Sequence, residues 1–417
     1  MKLIELEVEG YRSLKSVRWV PGDLNVLIGP NGSGKTNFLR VLGVLVSCAE
    51  GRLSKHIQEE GGIFSIAWDR KDKPIRIKVK TTPPAATYKI PFLVNEPEKR
   101  DSIEYEIVLA TLAVESLFQL TIFKEELKNL YPLEKQPNQE PEMLLERTMI
   151  SANILDAKSK TMVDIKQDVQ LEEALLSAAR PPFPMNSQIS DYQRDLASWT
   201  VYEDLWKGLY SPSSLWSLSP SIRGPIRPRY ETSVSRDGDN LIAVLNTLCA
   251  HDRDFEHRLN EAMQAAFGSD FDRLIFAPVA DNLVQLRMRW KSLQHEISAT
   301  DISDGTLRFL LLVAVLLNPE PPPLIAIEEP EIGLHPSMLP IIAELAVDAS
   351  SRTQIIFTTH STDFMSAFRD VPPTTTVFNW QNGQTVLQTL SGDKLDYWLK
   401  DYTLGEMFRS GQLESMM

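Results

Sequence analysis

Residues 29–36 read Gly-Pro-Asn-Gly-Ser-Gly-Lys-Thr, with an apolar run at 26–28 before them and an amphipathic helical pattern from residue 37 after them. Residue types at this spacing hold phosphate. Glycines at 29, 32 and 34 let successive N–H groups turn inward around phosphate oxygens, and the following helix adds the positive end of its dipole. Lys35 is expected to reach the β- and γ-phosphates of a nucleoside triphosphate, and the Thr36 hydroxyl to ligate Mg²⁺. Asn31, Gly32, Ser33 and Gly34 complete the expected cradle. The alternative, a Gly-rich turn with no ligand, is set aside because the motif is complete and has a strand before it and a helix after it.

Carboxylates and a histidine at the ends of two other apolar runs would supply the rest of a hydrolytic site. Residues 324–327, Leu-Ile-Ala-Ile, read as a fully buried strand that runs into Glu328, Glu329 and Glu331. Acidic residues at the carboxyl end of a parallel strand stand in the crevice where such sheets bind ligands. Glu328 is expected in the Mg²⁺ shell, and Glu329 is expected to orient or deprotonate the attacking water. His360 ends a second buried run, 354–359; alone it is an ordinary strand-end residue, and beside the other motifs it is a candidate sensor of the γ-phosphate. Residues 302–306, Ile-Ser-Asp-Gly-Thr, open a helix, where Ser303 and Gly305 make a second anion site.

The elements that must position these groups follow from periodicity. Strands are predicted at 2–8, 17–20 and 75–80, the last with apolar and basic faces in strict alternation, and a helix at 37–49. Residues 81–100 read as a loop, 103–111 and 116–123 as a pair of strands, and 132–142 as a Pro/Gln/Glu-rich connection. From residue 171 the pattern is helical. Ile189, Tyr192, Leu196, Trp199, Trp206 and Leu209 form an apolar stripe, read as core packing in preference to a partner-binding ridge. After a loop at 210–238 come helices at 239–250 and 254–267 and strands at 274–279 and 283–290. The last third alternates helix (305–317), strand (323–327), helix (336–349), strand (354–358) and helix (361–368). Strands 374–379 and 384–390 finish the sheet, before a helical tail through Leu395, Trp398, Leu399, Leu404 and Phe408. No sustained charged heptad run appears, which excludes a long coiled-coil arm. The resulting division is 1–90 with the phosphate loop, a β-rich insertion at 91–170, a helical subdomain at 171–270, and 271–417 with the remaining motifs.

Composition excludes more than it assigns. With 417 residues, 43% of them hydrophobic and 24% charged, the chain fits a soluble protein of two or three domains. No apolar run approaches the roughly twenty residues that cross a bilayer, and the N-terminus alternates as an acidic strand, unlike a signal peptide. Cys48 and Cys249 lie in apolar patterns without metal-ligand spacing, as expected of free thiols in a reducing cytoplasm. A net charge of −13 repels a nucleic-acid duplex at long range. Two local basic features run against it, residues 70–80 and the Arg223, Arg227, Arg229 loop, and each reads first as a solvated face.

Together these motifs resemble the ABC-type ATPases of the RecF/SMC branch. Residues 29–36 match the Walker A motif, 303–306 the ABC signature, 324–329 the Walker B strand, 331–336 the D-loop, and His360 the switch histidine. The resemblance covers roughly 1–50 and 270–390. It implies an α/β P-loop NTPase of the ABC/SMC-head type, with a mixed sheet, an antiparallel β lobe and a helical subdomain. It implies ATP and Mg²⁺ as ligands, slow hydrolysis, and Arg12 among the nucleotide contacts. It also implies a head-to-head homodimer, or a higher oligomer, in which each ATP lies between one subunit's phosphate loop and the other's Ser303–Thr306 segment. Two departures stand out: position 328 is Glu where the wider family usually has Asp, and the Q-loop glutamine has no clear match, Gln188 being the candidate. The tail, 397–406, is similar to that of bacterial predicted ATPases related to RecF.

Two functions compete on this reading. One is an ATP-driven machine acting at nucleic acid in repair or anti-phage defence. The other is a cytoplasmic ATP-gated sensor or scaffold that holds a separate nuclease or toxin, there being no room for the fused nuclease of the related overcoming-lysogenization-defect proteins. A transporter subunit is disfavoured by the signature and by the separation of residues 36 and 303.

Overall fold

The structure, a computed structural model, describes residues 1–70, 73–84, 102–114, 117–130, 140–165, 170–178, 186–203, 222–368, 371–390 and 404–410. Trp206 and Leu209 of the apolar stripe lie outside the described residues, as do Leu395, Trp398, Leu399, residues 397–403 of the tail and most of the loop at 81–100.

Alternating patterns build the first lobe. β1 (Leu3–Tyr11) and β2 (Leu14–Trp19) form an antiparallel pair, and the wholly buried β3 (Leu24–Ile28) leads through the phosphate loop into helix α1 (Lys35–Glu50). Short helices α2 (Leu53–Glu59) and α3 (Ile63–Ile66) precede β4 (Ile75–Thr81), which buries Ile75, Ile77 and Val79. β5 (Ser102–Val114), β6 (Leu117–Leu130), β7 (Glu142–Thr148), β8 (Ala152–Leu155) and β9 (Met162–Asp164) continue the sheet. Among the described residues it is eight-stranded and antiparallel, in the order β2-β1-β4-β5-β6-β7-β8-β9. Its basic face is neutralised within the sheet. Arg76 pairs with Glu106 and, at 3.2 Å, with Glu9, and Lys78 meets Glu104 at 2.9 Å.

Helix α4 (Leu175–Ala178) and helix α5 (Ser187–Ala197) pack on α1, then β10 (Thr200–Tyr202) begins the second sheet. Ile189, Tyr192, Leu196 and Trp199 are all buried, so this part of the apolar stripe is core. Helices α6 (Leu241–His251) and α7 (Arg253–Phe267) lead to a hairpin of β11 (Phe271–Val279) and β12 (Leu283–Trp290), with β13 (Ile297–Ser298) alongside. The remainder alternates α8 (Asp304–Leu316), β14 (Leu324–Glu328), α9 (Leu339–Ala349), β15 (Gln354–Thr359) and α10 (Thr362–Ala367). The hairpin β16 (Thr374–Gln381) and β17 (Gln384–Thr389) precedes α11 (Leu404–Arg409).

The second sheet runs β10-β14-β15-β3-β16-β17, parallel throughout except for β17. Both of its faces are covered, which is why its strands read as continuous apolar runs. Leu27, Ala326 and Ile356 face α1 and the β lobe; Val26, Ile28, Ile325, Ile327, Ile355 and Phe357 face the core built on α6 to α10. The helical stretch thus divides, with α4 and α5 on one face of the sheet and α6 and α7 on the other. Register aligns the strand ends: Ile28 stands opposite Thr359, and Thr358 opposite Glu328. The segments after β3, β14 and β15 therefore meet along one edge. Among the described residues no helix is long and apolar enough to cross a membrane, and none approaches a coiled-coil arm, α1 having 16 residues.

Candidate active site

The phosphate loop is pressed into shape by the hairpin behind it. A methyl group on Gly29 (φ 146°) would lie 2.2 Å from the Phe378 carbonyl oxygen, and one on Gly34 (φ 105°) 2.1 Å from Thr385 Oγ1. Only glycine fits either place. Thr385 Oγ1 also donates to the Ser33 carbonyl at 2.8 Å. The Ser33 side chain is buried, and its hydroxyl has no hydrogen-bond partner among the described residues. Gly34 starts α1 without a side-chain cap, so among the described residues no side chain caps the first N–H groups of the helix, which face the loop. Lys35 is buried, and its ammonium donates to the Gly29 carbonyl at 2.7 Å and the Pro30 carbonyl at 3.1 Å. Burial holds its pKa below the usual lysine value, and the carboxylates of Glu329, Glu328 and Glu331 act in the opposite direction.

Those carboxylates stand where the register brings them. Thr36 donates its hydroxyl to Glu328, joining the loop to the end of β14. Burial raises the Glu328 pKa; the Thr36 hydroxyl opposes this and Glu329 adds to it. Glu329 has a left-handed backbone (φ 44°), strained for a side-chain residue, and its N–H donates to the Thr358 carbonyl at 3.0 Å. One Glu329 carboxylate oxygen lies 2.9 Å from His360 Nδ1. Glu331 accepts from the Thr359 hydroxyl, and burial raises its pKa. Lys35, Thr36, Glu328, Glu329 and His360 are therefore gathered, and Asn31, Gly32, Gly34 and Glu329 line one cleft. A hydroxyl and a carboxylate already in contact at the mouth of a phosphate cradle are the hard oxygen donors that Mg²⁺ takes beside nucleotide phosphates.

Two further groups escape a reading by motif. The pairing of Tyr202 with Ile327 carries the next residue, Glu203, beside Glu328. Glu203 is raised by burial and lies 3.4 Å from Arg40, which reaches Glu60 at 3.4 Å on its other side. Glu60 also binds Arg12, in the turn after β1, whose backbone is left-handed (φ 46°). Arg12 is thus tied to Glu60, while its neighbour Ser13 accepts a bond from Asn37 at 2.9 Å at the start of α1. Gln188, the glutamine considered from sequence, lies 3.3 Å from Asn129 on β6.

Ser303 and Gly305 stand elsewhere. Ser303 caps α8, its hydroxyl accepting from the Thr306 N–H at 3.2 Å. Gly305 touches the turn at 331–336: a methyl on it would lie 2.7 Å from the Gly333 carbonyl oxygen. Arg308 of the same helix donates to the Ile332 carbonyl at 3.0 Å. Arg223 braces the segment from the other side, donating to the carbonyls of Ala299 (3.1 Å) and Ile302 and pairing with Asp304. Among the described residues, no hydrogen bond joins Ser303 or Gly305 to the phosphate loop of the same chain. The bracing role of Arg223 has no signal in sequence, where 81 residues separate it from Asp304.

Comparison with known proteins gives two family matches. A profile described as an AAA ATPase domain matches residues 1–196. One described as an AAA domain, AbiEii toxin, type IV TA system, matches residues 165–366. Among solved structures, an SMC head bound to the C-winged helix domain of ScpA superposes with a TM-score of 0.54 at 13% identity, over 95% of this chain and 100% of that one. The Smc head domain with an extended coiled coil from Pyrococcus furiosus, bound to the C-terminal domain of ScpA, gives 0.49 at 12% identity over 96% and 99%. The first of these carries the likeness of fold. No curated protein matches the sequence.

Proposed function

We propose that this chain, which matches AAA ATPase family models over residues 1–196 and 165–366 and has the fold of an SMC head, is a RecF/SMC-like ATPase that binds ATP with Mg²⁺ and hydrolyses it. The observation that carries this reading is the Glu329–His360 pair, at 2.9 Å, beside the Thr36–Glu328 contact at the mouth of the phosphate loop. Lys35 exchanges its loop carbonyls for the β- and γ-phosphates. Thr36 and Glu328 would hold Mg²⁺, which supplies charge neutralisation on those phosphates when bound. Glu329 orients the attacking water and accepts its proton, and His360 holds the Glu329 carboxylate in place and senses the γ-phosphate.

Ser303, Gly305 and the helix they open belong to the partner's nucleotide, so that ATP closes a head-to-head dimer. In this reading the dimer couples turnover to a nucleic-acid process, repair or anti-phage defence. A second reading, an ATP-gated holder of a separate effector, draws support from Arg76 and Lys78, whose charges are met by Glu9, Glu106 and Glu104 of the same sheet. Phosphate release by purified protein tests the core of the proposal. Glu329→Gln is expected to bind ATP normally and to lose turnover by roughly 10²–10⁴-fold; hydrolysis at the wild-type rate would overturn the assignment.

A further inference from the structure

Trp380 has no part in the site as described, and its place in the fold asks for one. It is 53% exposed at the end of β16, whereas Phe378, on the same face two residues earlier, is fully buried against Phe38 of α1 with ring centroids 5.5 Å apart. β16 runs parallel to β3 with Val377 opposite Ile28, so from residue 378 it outruns β3 and lies beside the phosphate loop. The chain then reverses through Asn382 and Gly383, both left-handed. This two-residue turn fixes the register and sets Trp380 directly opposite Thr385. Residues so paired project from the same face of the sheet.

That face is the one against the loop. Thr385 Oγ1 donates to the Ser33 carbonyl and shares a hydrogen bond with the Ser13 hydroxyl, each at 2.8 Å, and leaves no room for a side chain at Gly34. Ser13 Oγ in turn accepts from Asn37 at the start of α1. By register, Trp380 is therefore next to the end of the cradle bounded by Ser13, Gly34 and Asn37. Glu328, Glu329 and His360 lie on the other side of β3, at the ends of β14 and β15. A nucleoside triphosphate is an extended molecule. With its γ-phosphate set by Glu329 and His360, its base comes to rest at the opposite end, where the hairpin stands.

We propose that Trp380 is the shelf on which the nucleobase stacks, and that the β16–β17 hairpin is the base subsite. The inference rests on the ATP-binding reading of the phosphate loop. Stacking on an aromatic face recognises the π-surface of a base with little regard to its hydrogen-bonding edge, so ATP and GTP should bind alike.

The test titrates the full chain, with Mg²⁺ present, using ATP, GTP and inorganic tripolyphosphate, which has the phosphates and no base. Trp380→Ala should weaken ATP and GTP on the order of tenfold and leave tripolyphosphate unchanged. Trp380→Phe should recover most of the loss. In turnover, Trp380→Ala should raise KM with kcat unaltered. Equal ATP affinity in Trp380→Ala and wild type, with both binding tripolyphosphate, overturns the shelf alone. An equal loss of ATP and tripolyphosphate in Trp380→Ala also overturns it, because the damage then lies in the cradle. If the wild type binds neither ATP nor tripolyphosphate, the reading of the phosphate loop itself falls.

Discussion

The two helix starts assigned to phosphate, α1 at Lys35 and α8 at Asp304, are finished in opposite ways. α1 begins from a left-handed Gly34 with no side-chain cap, and the Lys35 ammonium donates to two loop carbonyls. α8 begins from an extended Ser303 whose hydroxyl already serves the Thr306 N–H, with Asp304 held by Arg223. An uncapped start leaves its backbone donors for an anion to satisfy, whereas a capped start has one of them already met by its own chain. On the proposed function, the first captures a nucleotide from solution. On the same proposal the second, which must loosen a bond it already has, receives a phosphate delivered on another subunit.

Four measurements test this contrast. Lys35→Ala should weaken Mg²⁺-dependent ATP binding about a hundredfold, as expected for losing charged hydrogen bonds to phosphate, while Ser303→Ala leaves that affinity within about twofold. Equal losses in a binding titration would erase the distinction. Next, in a Glu329→Gln background that retains ATP, Ser303→Ala should weaken ATP-dependent association about tenfold by sedimentation. Gly305 is not a clean probe for this purpose. Any side chain there strikes the Gly333 carbonyl at 2.7 Å within its own subunit before it reaches a partner.

Third, Arg223→Ala removes the brace on 299–304 and should lower Tm by about 2–4 °C while leaving ATP affinity of the monomer unchanged. A matching fall in ATP affinity would mean that the two starts are not independent. The smallest effect concerns pH. Burial raises Glu328, so its neutral form stabilises the fold fully below the ordinary glutamate value of 4.5, and that stabilisation is lost as pH climbs through the folded value. Glu328→Gln keeps the neutral form throughout. Without nucleotide it should melt roughly 1–3 °C above wild type at neutral pH and converge with it near pH 4. A lower Tm at neutral pH would mean that the Thr36 contact outweighs the burial of the charge.

Sequence carried the first helix start far better than the second, for a physical reason. Gly29 to Thr36, Glu328, Glu329 and His360 each sit at the end of an apolar run, so a local pattern marks strand, turn and functional residue together. What surrounds them is set by register between distant segments. Thr385 meets Ser33 across 352 residues, Arg223 meets Asp304 across 81, and Glu203 comes beside Glu328 only through the pairing of β10 with β14. The basic residues of β4 looked like a surface feature because Glu104 and Glu106, which meet them, lie on the next strand of the sheet. Strands β7 to β9 gave no clear signal: Glu-Met-Leu-Leu-Glu-Arg-Thr in β7 fits neither a period of two nor one of 3.6.

The placement of β3 between β15 and β16 also has a consequence for synthesis. Residues 24–28 emerge from the ribosome early, yet their partners are residues 354–359 and 374–377. At translation rates of about 5–20 residues per second, some 330 intervening residues take roughly 15 to 65 s. The β lobe, α1 and α5 can close on one another within the first 200 residues, because the cluster they share needs little from beyond them. The other face of β3, with Val26 and Ile28, has its covering helices only after residue 240. Nascent chains should therefore pass through a long-lived state with one core formed and a bare apolar strand beside it, and that interval is when this protein most needs a chaperone.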